Sequence, residues 1–216
     1  EVEQHINQMP CLTFKKFRAG MLLAAILLGL AHPSPVCGGA TDLTGEFAIE
    51  TWTTENGMPH NSVTALLQTR KSYIWAGTYN GIAQFDGDRF KVFDASNTKG
   101  LNDSRITALY EDTQGVIWIG HDRGEVTRCV DGQFAPVVLD KPWGNTTVIA
   151  FGNDEHGDVW VLNLRGETLR VRDSLRIQPL PQMAAEPTVR PALAADAEHR
   201  LYVLRNGMAA RITTNG

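Results

Sequence analysis

The stretch Thr107-Ala-Leu-Tyr-Glu-Asp-Thr-Gln-Gly-Val-Ile-Trp-Ile-Gly-His-Asp-Arg-Gly124 returns, changed but in frame, as Ile149-Ala-Phe-Gly-Asn-Asp-Glu-His-Gly-Asp-Val-Trp-Val-Leu-Asn-Leu-Arg-Gly166. Each copy is a short apolar run, an Asp, a turn, then Trp and Gly. Working outward, Trp75, Trp118, Trp160 and Tyr202 fall 43, 42 and 42 residues apart, and Gly81, Gly124, Gly166 and Gly207 fall 43, 42 and 41 apart. Asp112, Asp154 and Asp196 recur at 42. A period near 42 residues, built of short strands, is the mark of a β-propeller blade.

The copy around Trp118 shows why it reads as four strands. Ile106-Thr-Ala-Leu-Tyr110 alternates, which suits a strand. Asp112 and Gly115 bracket a turn, because Asp accepts backbone hydrogen bonds and Gly supplies positive φ. Val116-Ile-Trp-Ile-Gly120 is β-branched and aromatic, a second strand. A third follows over residues 125–130, then the hairpin dipeptide Asp131-Gly132 and a fourth strand. The expected fold is all-β: antiparallel four-stranded blades over residues 62–94, 105–139, 147–180 and 190–216, about four blades of a ring that would hold seven. Residues 47–52 read as an outer strand that closes the ring. The spaced aromatics are expected to fill the wedge between blades, and the spaced glycines to serve backbone geometry.

Composition sets bounds. The chain has 216 residues, 43% hydrophobic and 20% charged, with net charge −4. That is ordinary globular composition, and it gives no basic face for nucleic acid. Residues 1–40 read as upstream residues and a signal peptide: Lys15, Lys16 and Arg18, then an apolar run over 19–31, then Gly38-Gly-Ala40. The run is shorter than the ~20 residues a bilayer needs. The partial propeller is residues 41–216. Cys129 stands alone and reads as a buried thiol, and no Cys/His spacing suggests a metal.

The stretch Trp52-Thr-Thr-Glu-Asn-Gly-Met-Pro-His-Asn-Ser-Val63, with Leu67-Gln-Thr69, Ile74-Trp-Ala-Gly-Thr-Tyr-Asn-Gly-Ile82 and Phe85-Asp-Gly87, resembles the two-component-regulator propeller repeat. Met58 stands where that pattern has Leu, and Gln84 where it has Arg. Ile117-Trp-Ile-Gly120 matches in the second copy, and the later copies drift. The resemblance implies the extracytoplasmic sensor of a larger, homodimeric receptor. A downstream membrane helix and a histidine kinase or diguanylate cyclase would follow.

Loops on a rigid scaffold are where binding residues concentrate. The turns after the second and fourth strands open on one face. They offer Tyr79 and Asn80; His121, Asp122 and Arg123; Trp143; Asn163 and Arg165; and Arg205 and Asn206 as candidate ligand-binding residues. Their cations suit an anionic or hydroxyl-rich extracellular ligand, such as an acidic sugar fragment. Catalytic motifs are missing: there is no Gly-x-Ser-x-Gly, His-Glu-x-x-His or phosphate loop. No cofactor and no metal is expected, since Asp154-Glu-His156 falls on a repeat hairpin. Two alternatives stand beside the sensor: a propeller lyase with His121 as its acid–base group, and a protein-interaction scaffold.

Overall fold

The structure is a computed structural model that describes residues 49–138, 145–172, 175–177 and 190–213. Trp143 and the signal-peptide segment lie outside the described residues. Blade 1 comprises β1 (Val63–Gln68), β2 (Ile74–Thr78), β3 (Gly81–Phe85) and β4 (Phe90–Phe93). Blade 2 comprises β5 (Ile106–Glu111), β6 (Ile117–His121), β7 (Val126–Val130) and β8 (Gln133–Pro136). Blade 3 comprises β9 (Val148–Asn153), β10 (Val159–Asn163), β11 (Thr168–Arg170) and β12 (Leu175–Ile177). Blade 4 comprises β13 (Ala192–Ala195), β14 (Leu201–Arg205) and β15 (Met208–Arg211). Each sheet is an antiparallel meander in chain order. The first strands β1, β5, β9 and β13 lie side by side as the inner edge of the array. This is the propeller architecture that the period implies.

The aromatic wedge forms as expected. Trp75 on blade 1 packs with Ile106, Ile117, Cys129 and Phe134 of blade 2. Trp118 on blade 2 packs with Val148, Phe151 and Val159 of blade 3. Trp160 is fully buried. Cys129 is a buried free thiol, and burial pushes its pKa up.

A polar bond adds to the wedge. In blade 2, Asp112 Oδ1 accepts from the backbone N–H groups of Gln114 and Val116, and Oδ2 accepts from Trp118 Nε1 at 2.8 Å. Asp154 does the same for His156, Asp158 and Trp160 Nε1. Asp196 repeats it with Glu198, Arg200 and the Tyr202 hydroxyl. The carboxylate thus closes a turn and satisfies a buried indole at once. Asp154-Glu-His156 is a hairpin, and among the described residues no cluster of His, Cys, Asp and Glu could hold a metal.

Glycines serve two needs. Gly81, Gly124, Gly166 and Gly207 all have positive φ, the left-handed backbone that their turns require. Gly77 and Gly120 instead allow close approach of blades. A Cβ on Gly120 would lie 2.4 Å from Val148 Cγ1.

Of the outer strand expected over residues 47–52, residues 47 and 48 lie outside the described residues. Residues 49–52 carry no strand. Trp52 instead rests on Phe85 and Phe90, with ring centroids 5.0 and 6.0 Å apart. A strand needs backbone pairing with a sheet edge, and residues 49–52 enter none of the described sheets. A 3-10 turn, Thr54–Asn56, follows it, capped by Thr53 and ended by Gly57 at φ 100°.

Candidate functional site

Inner strands begin where second strands end, so the β2–β3, β6–β7 and β10–β11 turns surround the starts of β1, β5 and β9. A cavity of about 560 Å³ opens there, lined by Tyr79, Asp122 and Leu164 from the turns, Thr64 and Thr107 from the inner strands, and Arg190. That volume suits a small ligand.

The threonines build its wall. Thr64 Oγ1 donates to Gly77 O at 2.9 Å and contacts Ile106 O at 2.6 Å. Thr107 Oγ1 donates to Val148 O at 2.7 Å. The contacts to Ile106 and Val148 cross from blade 1 to blade 2 and from blade 2 to blade 3, and fix the spacing of the inner strands. The turns are tied down as well: Asp122 N donates to Arg105 O and Leu164 N to Thr147 O.

Asp122 is held on two sides. Its Oδ1 accepts from Thr147 Oγ1 at 3.1 Å, and its Oδ2 lies 3.5 Å from Arg105 Nη1. Tyr79, on the lining, is 51% exposed, and Arg190, also on the lining, is exposed. An aromatic face, a fixed carboxylate and a guanidinium around one cavity can stack on and hydrogen-bond a polyhydroxylated ligand.

Not every expected residue reaches this cavity. Tyr79 and Asp122 line it. Asn80 is exposed but turned away, with Nδ2 donating to Pro59 O. Arg123 and Arg165 are exposed turn residues outside the lining. Asn206 sits in the last turn at φ 51°. His121, Asn163 and Arg205 differ from the loop placement read in the sequence. Each is the last residue of its second strand and is buried.

Their roles are visible in their partners. Asn163 Oδ1 accepts from Arg165 N and Glu167 N, closing the β10–β11 turn. Arg205 reaches back to blade 3 and donates to Arg165 O at 2.6 Å, lying over Gly166. His121 is wholly enclosed, with Nε2 2.9 Å from Thr127 Oγ1. Burial pulls its pKa down to about 4, so the imidazole is neutral near pH 7. Thr78 holds the same place in blade 1, where its hydroxyl bridges Asn80 N and Gly81 O. Sequence reading missed Arg190, Thr64 and Thr107, because no turn signal marks them; only the crossing bonds place them at the cavity.

Comparison with known proteins agrees with the fold. Residues 57–80 and 100–123 match the family model described as two component regulator propeller. No curated protein is significantly similar in sequence. Among solved structures, the chain is similar to the extracellular domain of a B. thetaiotaomicron protein described as a hybrid two component system, BT3049. The TM-score is 0.55 at 19% identity, over 77% of this chain and 26% of that one. The extracellular domain of a B. thetaiotaomicron one component system, BT4673, gives 0.53 at 20% identity over 73% and 24%. Virginiamycin B lyase from Staphylococcus aureus gives 0.54 at 16% identity over 70% and 52%. The chain thus spans about a quarter of the two extracellular domains and half of the lyase, and at these identities the likeness is one of fold. Both family matches run through the first two strands of a blade into the turn that follows, so in blades 1 and 2 the chain is similar to the two component regulator propeller repeat.

Proposed function

We propose that this chain is part of the extracytoplasmic ligand-sensing propeller of a bacterial signal-transduction receptor. The observation that carries the reading is the pair of two component regulator propeller matches. The likeness in fold to extracellular domains of two component and one component systems supports it. In this reading the propeller itself performs no chemistry. The receptor is homodimeric, located in the periplasm after signal-peptide cleavage, and attached to the membrane by a downstream segment. Its output, a histidine kinase or diguanylate cyclase, lies beyond residue 216. No helix among the described residues is long and apolar enough to cross a membrane.

The ligand site is the cavity between Tyr79, Asp122 and Arg190. Its mix of aromatic face, acceptor and cation favours an acidic sugar fragment. A lyase reading has the fold likeness in its favour, but His121, its acid–base candidate, is enclosed and held neutral. The test is a calorimetric titration of the exported chain with uronate-containing oligosaccharides. Binding that is lost in Tyr79→Ala and Arg190→Ala, with the oligosaccharide recovered intact, is expected. Undiminished binding in both variants overturns the site, and consumption of the oligosaccharide overturns the sensor reading.

A further inference from the structure

The opposite face, where β1–β2 and β3–β4 turns meet the neighbouring blade, holds a departure from the repeat. Blades 2, 3 and 4 each place an Asp at the start of the first turn, and that Asp bonds the Trp or Tyr of the second strand. Blade 1 has Thr69 there. Its hydroxyl donates to Tyr73 O instead. Trp75 is only 3% exposed, and among the described residues its Nε1 has no hydrogen-bond partner. A buried donor left without an acceptor is costly, and such groups call for an explanation.

A cavity of about 460 Å³ lies at this point between blades 1 and 2, lined by both Thr69 and Trp75. Trp75 pairs across the sheet with Gln84, and Gln84 pairs with Lys91. The three therefore stand in one row over β2, β3 and β4, and all three line the cavity. Each carries N–H donors: an indole, an amide and an ammonium. The body of the cavity is apolar and aromatic. Phe93 stacks on Trp75 at 5.8 Å and 15°, and Lys91 Nζ lies 4.9 Å from the Phe93 centroid.

The acidic groups nearby are already engaged. Glu111 Oε2 accepts from Arg70 N at 2.8 Å, and Asp131 pairs with Lys71 at 3.2 Å. The corresponding cleft between blades 2 and 3 is the internal comparison. There Asp112 takes the Trp118 N–H, and the row ends in Ala135 where blade 1 has Lys91. The middle of that row is Arg128 where blade 1 has Gln84, so blade 1 has lost the built-in carboxylate and carries its cation on the outer strand, at Lys91, instead of the middle one.

We propose that this interblade cleft is a binding site for a small aryl carboxylate, distinct from the cavity at Tyr79. One carboxylate oxygen takes the place that the Asp oxygen fills in the other blades, beside Thr69, and accepts from Trp75 Nε1. The other faces Gln84 and Lys91. The ring lies along Phe93 and Ile117. The binding step moves no covalent bond and needs no co-reactant.

The test uses the full chain, indole-¹⁵N labelled, titrated with benzoate and with neutral benzamide. The Trp75 indole resonance is assigned by Trp75→Phe. Benzoate is expected to shift that resonance saturably and leave those of Trp118 and Trp160 in place, while benzamide does not. Lys91→Ala should weaken benzoate about tenfold, the loss of one charge-assisted bond. Thr69→Asp, which installs the residue of the other three blades, should abolish the shift. Because that variant completes the repeat, it is expected to fold at least as well as the parent. No saturable shift of the Trp75 resonance with benzoate overturns the proposal. So does equal binding of benzamide, or undiminished benzoate binding in either variant.

Discussion

Asp112 and Trp118 are joined at 2.8 Å, carboxylate to indole, across a turn whose backbone the same carboxylate closes. Asp112 is nearly buried, so its removal strands several donors together. Asp112→Ala should cost about 2–3 kcal/mol, the price of leaving buried donors unpaired. Asp88→Ala breaks an ion pair whose carboxylate is 82% exposed, and should change stability by less than about 0.5 kcal/mol. Urea midpoints at unchanged slope measure both. Equal midpoints would remove the carboxylate–indole bond from the account of the blade.

Gly120 sets how closely blades 2 and 3 approach. A Cβ there would meet Val148 Cγ1 at 2.4 Å and Cβ at 2.8 Å. Val148 is fully buried and β-branched, so it cannot swing away. Gly120→Ala should therefore destabilise by about 1–3 kcal/mol through overpacking. The double variant with Val148→Ala removes the obstructing methyl groups. Its melting should show a favourable coupling relative to the sum of the two single changes. Additive losses would place the strain elsewhere.

His121 makes stability depend on pH in a defined window. Its folded pKa is depressed to about 4 by burial, whereas an unfolded His titrates near 6.5. Between those values the unfolded chain binds the proton and the folded chain does not. Stability therefore falls as pH drops through the window, by up to about 3 kcal/mol at its acid end. His121→Asn, the residue type at the same place in blade 3, removes that titration. The difference in unfolding free energy between the two chains should vary with pH from 6.5 to 4 and be flat above 7. A difference flat across the whole range would show that the imidazole is not sealed.

Thr107 carries a bond between blades through one hydroxyl, 2.7 Å from Val148 O. Thr107→Val keeps the shape and deletes the donor. The expected loss is about 1 kcal/mol, with faster amide exchange at the inner strands β5 and β9. Unchanged exchange there would mean that packing alone holds the boundary.

The strands were legible because turn chemistry and β-branched runs recur at one period, and a repeat lets a weak copy borrow from a strong one. Trp75, Trp118 and Trp160 read as wedge residues for the same reason. The partners of those indoles were not legible. Asp112 looked like a turn residue, which it is, and nothing in spacing says that its second oxygen reaches an indole six residues on. His121, Asn163 and Arg205 looked like loop polars beside a Gly. In a propeller both faces of a blade are covered by other blades, so alternation does not separate inside from outside at a strand end. Residues 49–52 have the alternation of a strand, but a strand also needs an edge to pair with, and pairing is not a local property.

Four of the bonds between blades share one trait: each joins residues roughly a repeat apart. Thr64 reaches Ile106, Thr107 reaches Val148, Tyr110 reaches Asn153 and Arg205 reaches Arg165. The chain closes loops of nearly constant, modest length, and loop-closure entropy changes little from one to the next. Along these contacts a newly made chain can accordingly settle each blade on its predecessor in the order of synthesis.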